Sequence, residues 1–125
     1  MLVLATFLHT HWTPPDAPRS TRDGTSAPGP GLLALVDLST GEVLLQRPLD
    51  SPSGFCFAPD GLLVNSMYGN QIYVLDHELG ICRTFSAPSM NDLHSIVNTR
   101  NGLLVTSSGV DTVIELDSLG NMLWH

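Results

Sequence analysis

The chain has 125 residues, a net charge of −7, five arginines and no lysine. An acidic chain without a basic stripe argues against nucleic acid as a partner. The missing lysine removes Schiff-base chemistry.

Residues 1–8 (MLVLATFL) form an apolar run with no basic residue before it and no small-residue cleavage site. The run is too short to span a bilayer, so it is expected to be a strand rather than a signal or an anchor, with no membrane as partner. Residues 13–31 (TPPDAPRSTRDGTSAPGPG) are rich in Pro, Gly, Ser and Thr and nearly free of apolar side chains. Such a stretch reads as a long flexible insertion between two strands. Residues 35–41 (LVDLSTG) then match residues 74–80 (VLDHELG).

The next segment contains four short apolar runs, at 53–57, 62–65, 71–75 and 81–85, each closed by Gly, Pro, Asn, Asp or Ser. This pattern predicts an antiparallel meander of four strands. It then recurs. Residues 60–76 (DGLLVNSMYGNQIYVLD) align without a gap on residues 101–117 (NGLLVTSSGVDTVIELD), 41 positions later, with seven of seventeen identical. The corresponding runs are 94–98, 103–107, 112–116 and 121–125. No window of helical length carries a 3.6-residue apolar period.

The central runs 62–64 and 72–75 are apolar on both faces, without the alternation of a sheet that has one wet side. Repeated four-stranded units of roughly forty residues with both faces buried suit the blades of a β-propeller. The expected fold is therefore all-β: a β-propeller segment of antiparallel four-stranded blades forming an incomplete ring. Residues 1–47 would be an incomplete first blade carrying the insertion at 13–31, residues 53–86 a second blade and residues 94–125 a third. Closed propellers use about four to eight blades. Completion is thus expected from the remaining blades of a longer chain or from other copies of this one.

Asp37, Asp76 and Asp117 close equivalent runs, and their recurrence predicts turn capping by carboxylates. Cys56 and Cys82 fall on the first and fourth strands of one unit, too far apart to pair. Two buried free thiols are expected, and with them a cytoplasmic location.

In a propeller, the loops entering each first strand and those joining second to third strands emerge on one face. Pockets commonly form at such a channel mouth. Asn91-Asp92-Leu93-His94 lies there, with His94 at the repeat position of Ser53. His94 and Asp92 are the candidate catalytic pair, as general base or as holder of an anionic group. Ser53, Asn91, Tyr68, Asn70 and Asp111 are candidate ligand-binding residues. His9 and His11 would share one side of an extended segment and, with His94, are candidate ligands for a divalent metal. A Ser-His-Asp triad built on Ser107 or Ser108 lacks the strand-turn-helix elbow that such a nucleophile uses.

Residues 52–55 (PSGF), 58–64 (APDGLLV), 69–76 (GNQIYVLD) and Gly80 resemble the NHL-type repeat, a pattern shared with gluconolactonase/regucalcin and strictosidine-synthase-like β-propellers. The resemblance covers about residues 31–125. It implies a propeller whose relatives include lactonases, lyases and pure binding modules. Where the lactonase-type families place a calcium-binding Asn, this chain has Ser53 and His94, and imidazole is a poor calcium ligand. The preferred expectation is a binding or interaction module holding a small molecule or peptide at the channel mouth. The alternative is a metal-dependent lactonase/lyase-type hydrolytic enzyme.

Overall fold

The computed structural model describes residues 1–8 and 31–124. Eleven strands follow in chain order: β1 (Leu2–Phe7), β2 (Gly31–Asp37), β3 (Glu42–Leu49), β4 (Pro52–Ala58), β5 (Gly61–Ser66), β6 (Gln71–Leu75), β7 (Ile81–Phe85), β8 (Leu93–Asn98), β9 (Leu103–Ser107), β10 (Thr112–Leu116) and β11 (Met122–Trp124). One 3-10 turn, Ser108–Val110, precedes β10, and no described residue lies in an α-helix. The strands form three open antiparallel sheets, β1-β2-β3, β4-β5-β6-β7 and β8-β9-β10-β11. The all-β antiparallel expectation therefore holds. The insertion at 13–31 lies outside the described residues except for Gly31, which begins β2.

Tight turns set these meanders. Pro59-Asp60 links the paired residues Ala58 and Gly61. At the equivalent turn, the Thr99 amide donates to the Gly102 carbonyl at 2.7 Å. Register then decides which side each residue faces, because successive side chains alternate across a strand. In the middle sheet Leu63 pairs with Val74 on one face, while Leu62 pairs with Leu75 and Val64 with Tyr73 on the other.

Both faces are covered. Leu63, Ile72 and Val74 pack with Leu93, Ile96, Leu103, Val105, Ile114 and Leu116 of the third sheet. Leu62, Val64, Tyr73 and Leu75 pack with Leu33 and Leu49 of the first sheet. Val64, Ile72 and Leu75 are wholly buried, each contributing roughly 2 kcal/mol by removal from water. This double burial is the physical reason for the unbroken apolar runs.

Asp37, Asp76 and Asp117 cap turns as expected. Asp76 Oδ1 accepts from the amides of Glu78 (2.9 Å) and Gly80 (2.7 Å). Asp117 Oδ1 accepts from those of Leu119 (2.9 Å) and Asn121 (2.8 Å). Asp37 Oδ1 accepts from the Ser39 hydroxyl (2.6 Å) and amide (2.9 Å). These hydrogen bonds hold all three carboxyls below their usual value: chiefly the Ser39 hydroxyl for Asp37, the Gly80 amide for Asp76 and the Asn121 side chain for Asp117. A folded value below the unfolded one adds stability at neutral pH, and that stability is lost as pH falls through the folded value. Thermal unfolding between pH 7 and pH 2 is expected to show a falling midpoint in the acid range. The fall should be shallower in the combined variant Asp37→Asn, Asp76→Asn, Asp117→Asn; equal acid slopes would contradict the capping role.

The cysteines correct the sequence expectation in part. Both are free, but only Cys56 is partly buried, and desolvation pushes its thiol up. Cys82 is exposed, because it sits on β7, the edge strand of the middle sheet. Among the described residues no helix is long and apolar enough to cross a membrane.

Candidate functional site

The polar residues of interest gather where β4 and β8 begin, at the junction of the second and third sheets. The Ser53 hydroxyl donates to the Leu93 carbonyl at 2.6 Å. The fully buried Asn65 donates from Nδ2 to Ser53 Oγ (2.6 Å) and to the same carbonyl (3.0 Å). This clip joins the sheets through a main-chain acceptor. Gly54 allows it, since a Cβ there would lie 2.8 Å from Asn65 Oδ1 and 2.9 Å from the His94 carbonyl oxygen. Ser53 is thus brought to the site, with its hydroxyl engaged in the framework.

A second set of bonds fixes the segment before β8. The Asn91 amide donates to the buried Ser107 Oγ at 2.8 Å. The Asn91 carbonyl accepts from that hydroxyl (2.9 Å) and from the Gly109 amide (3.0 Å). Ser66, at the equivalent repeat position, accepts from the Gly69 amide at 2.9 Å. Each buried serine ends a strand and ties down a neighbouring loop.

Asp92 and His94 stand on this framework. Asp92 has φ 55, a left-handed conformation that Asp tolerates better than most residues. Its amide donates to Asn70 Oδ1 at 2.8 Å, which links the 67–70 loop of the second sheet to the third. Its Oδ2 accepts from the Ser108 hydroxyl at 3.0 Å. Its Oδ1 is buried with no hydrogen-bond partner among the described residues. His94 Nε2 lies 3.8 Å from Asp92 Oδ2, with the side chains 49 % and 37 % exposed. That distance is too long for a hydrogen bond but suits an ion pair when the imidazole is protonated. A half-open imidazole beside an oriented carboxylate has the chemistry to exchange a proton with a ligand or to hold an anionic group.

Of the remaining candidates, Asn70 contacts the pair directly, through the Asp92 amide. Asn70 adopts φ 51 and Asp111 φ 48, and Asp111 closes the 3-10 turn by donating its amide to the Ser108 carbonyl at 3.2 Å. Tyr68 is 51 % exposed on the loop that carries Asn70. His9 and His11 lie outside the described residues. Among the described residues, no three His, Cys, Asp or Glu side chains gather closely enough to hold a metal ion.

Two clefts lie elsewhere. One of about 390 Å³ between the first and second sheets is lined by Leu35, Phe57, Leu62, His77 and Leu79. A smaller one, of about 160 Å³ between the second and third sheets, is lined by Asp60, Leu63, Arg83, Leu103 and Ser118. Both lie at the strand ends marked by the turns around Pro59 and Ser118, opposite to Asp92.

Sequence reasoning missed Asn65 and the roles of Ser66 and Ser107. Identity of a serine inside an otherwise apolar repeated run was the available signal for the last two. No protein-family model matches the chain, and no curated protein matches it.

Proposed function

We propose that this chain is a segment of an NHL-like β-propeller and acts as a binding module. It holds a small polar molecule or short peptide at the sheet junction beside His94, Asp92, Asn70 and Tyr68. The observation that carries the reading is the His94–Asp92 pair: half-open to solvent, yet seated on a segment that Asn70, Ser107 and Ser108 hold from two sheets. Binding groups are effective when a rigid second layer fixes them. The propeller reading is supported by the 41-residue repeat and by the face-to-face packing of successive meanders. Fold alone leaves activity open.

A second reading has its own observation. The open imidazole beside a carboxylate is also the arrangement of a general base in a hydrolytic or lactonase-type enzyme, with a divalent metal as the added group.

NMR titration of the isotope-labelled protein with small carboxylates, amides and short peptides tests the proposal. Shift changes should concentrate at His94, Asp92 and Asn70 and disappear in His94→Ala. Changes confined to the cleft around Leu35 and Leu79 would overturn it. Metal analysis of the purified protein separates the two readings. Stoichiometric divalent metal that is lost in His94→Ala would favour the enzyme.

A further inference from the structure

The repeat places a cleft of the same kind at both sheet junctions. Between the first and second sheets it is lined by Leu35, Gly61, Leu62 and His77. Between the second and third, Val74, Gly102, Leu103 and Ser118 stand at the equivalent positions. This second cleft lies between two four-stranded sheets, and it differs from the first by an arginine. Arg83 pairs with Val74, whereas Leu45 pairs with Leu35. A guanidinium thus enters the second cleft from a position that holds a leucine in the first sheet. Stacking of the sheets does not require it.

Arg83 is held from two sides. Its Nη2 donates to the Ser118 carbonyl at 2.7 Å. Its guanidinium carbon lies 5.2 Å from the centroid of the Phe85 ring, a cation–π distance. That ring is itself seated on Gly120, where a Cβ would overlap it. A tie between sheets can be made without an arginine in the cleft. At the first junction Arg47 donates to the Leu79 carbonyl at 2.7 Å and does not line the cavity. The bond to Ser118 uses one donor of the Arg83 fork and leaves the others for an acceptor. Asp60 brings a carboxylate to the same cleft. Among the described residues neither Arg83 nor Asp60 is in an ion pair. Leu63, Val74 and Leu103, all buried, supply the apolar wall.

We infer that this cleft binds a free α-amino acid with a small apolar side chain, of the size of valine. The ligand carboxylate meets Arg83, whose planar fork matches that group. The ammonium meets Asp60, and the side chain lies against Leu63 and Leu103. A zwitterion satisfies both charges of the cleft. A simple carboxylate would leave Asp60 facing a like charge, and a simple amine would do the same to Arg83. Size agrees as well. The cleft measures about 160 Å³, and an apolar cavity of about 150 Å³ holds benzene, so an occupant of about six to eight heavy atoms fits. The site lies at the strand ends opposite to Asp92 and does not rest on the His94 reading.

Titration of the methyl-labelled whole chain with L-valine, followed by NMR, tests the inference. Saturable shifts are expected at the Leu63, Val74 and Leu103 methyls, with His94 unmoved. Isobutyrate lacks the ammonium and isobutylamine the carboxylate, and each should bind about tenfold more weakly or worse, since each forfeits a charge-assisted contact. These analogues probe the assignment on the unaltered chain. Arg83→Leu and Asp60→Asn should weaken valine by a similar factor. Both variants should keep their strand content by circular dichroism, because the repeat itself places Leu45 and Asn101 at those positions. No saturable shift at the highest soluble valine concentration would overturn the inference. So would shifts confined to His94, an analogue that binds as tightly as valine, or undiminished affinity in either variant.

Discussion

Gly102→Ala is expected to lower the stability of the chain by about 3 kcal/mol, and Gly61→Ala by a similar amount. Gly102 immediately precedes β9 and Gly61 opens β5 after equivalent turns, with φ of +147° and +134°. Side chains rarely enter that backbone region, whereas glycine does so freely. Space is also missing. A Cβ on Gly102 would overlap the Leu116 carbonyl oxygen and lie 3.0 Å from Asp117 Cα, and one on Gly61 would overlap the Leu75 carbonyl oxygen. Backbone atoms of the third strand cannot swing aside as a side-chain tip can. Relief would require parting two paired strands next to the Asp76 and Asp117 caps. Urea unfolding of both variants measures the effect. A loss under about 1 kcal/mol, the ordinary cost of a surface substitution or less, would mean that these turns are not as described.

Asn65→Asp is expected to cost about 3–5 kcal/mol near neutral pH, the scale of an uncompensated buried charge. The side chain has no solvent exposure, and its amide supplies two donors to the clip between sheets. A carboxylate donates nothing, and it would face the Leu93 carbonyl oxygen that now accepts at 3.0 Å. Burial favours the neutral carboxyl, which regains one donor. The substituted carboxyl is therefore raised above its unfolded value, and the deficit should shrink as pH falls through the acid range. Denaturant unfolding at several pH values follows this directly. A small, pH-independent change would place Asn65 outside the sheet junction.

Much of this fold was legible because turn residues bracket its strands. Residues 71–75, 81–85, 103–107 and 112–116 read as strands from sequence and are β6, β7, β9 and β10. The first strands of the second and third sheets begin one position early, at Pro52 and Leu93. Their neighbours have turn composition, but pairing with Ser66 and Ser107 carries the ladder further. The run at 121–125 shortens to Met122–Trp124 within the described residues. Carboxylate capping was legible because it occurs three times at equivalent places. Asn65 was not, since the other copy has Thr106 there and one of its two partners, the Leu93 carbonyl, belongs to a different sheet. His94 was visible as the counterpart of Ser53, whereas the support of Asp92 by Asn70 and Ser108 depends on loops meeting in space. Exposure of Cys82 follows from its place on the fourth, edge strand of the meander, although the sequence expectation counted it as buried.

Methyl–methyl NOEs across the middle sheet test most directly that it is sandwiched between two unlike neighbours. Leu63 and Ile72 methyls should contact Leu103, Val105 and Ile114, while Leu62 and Val64 methyls should contact Leu33 and Leu49. Contacts from both sets to a single sheet, or one set showing no contact to a neighbouring sheet, would contradict the stacked arrangement.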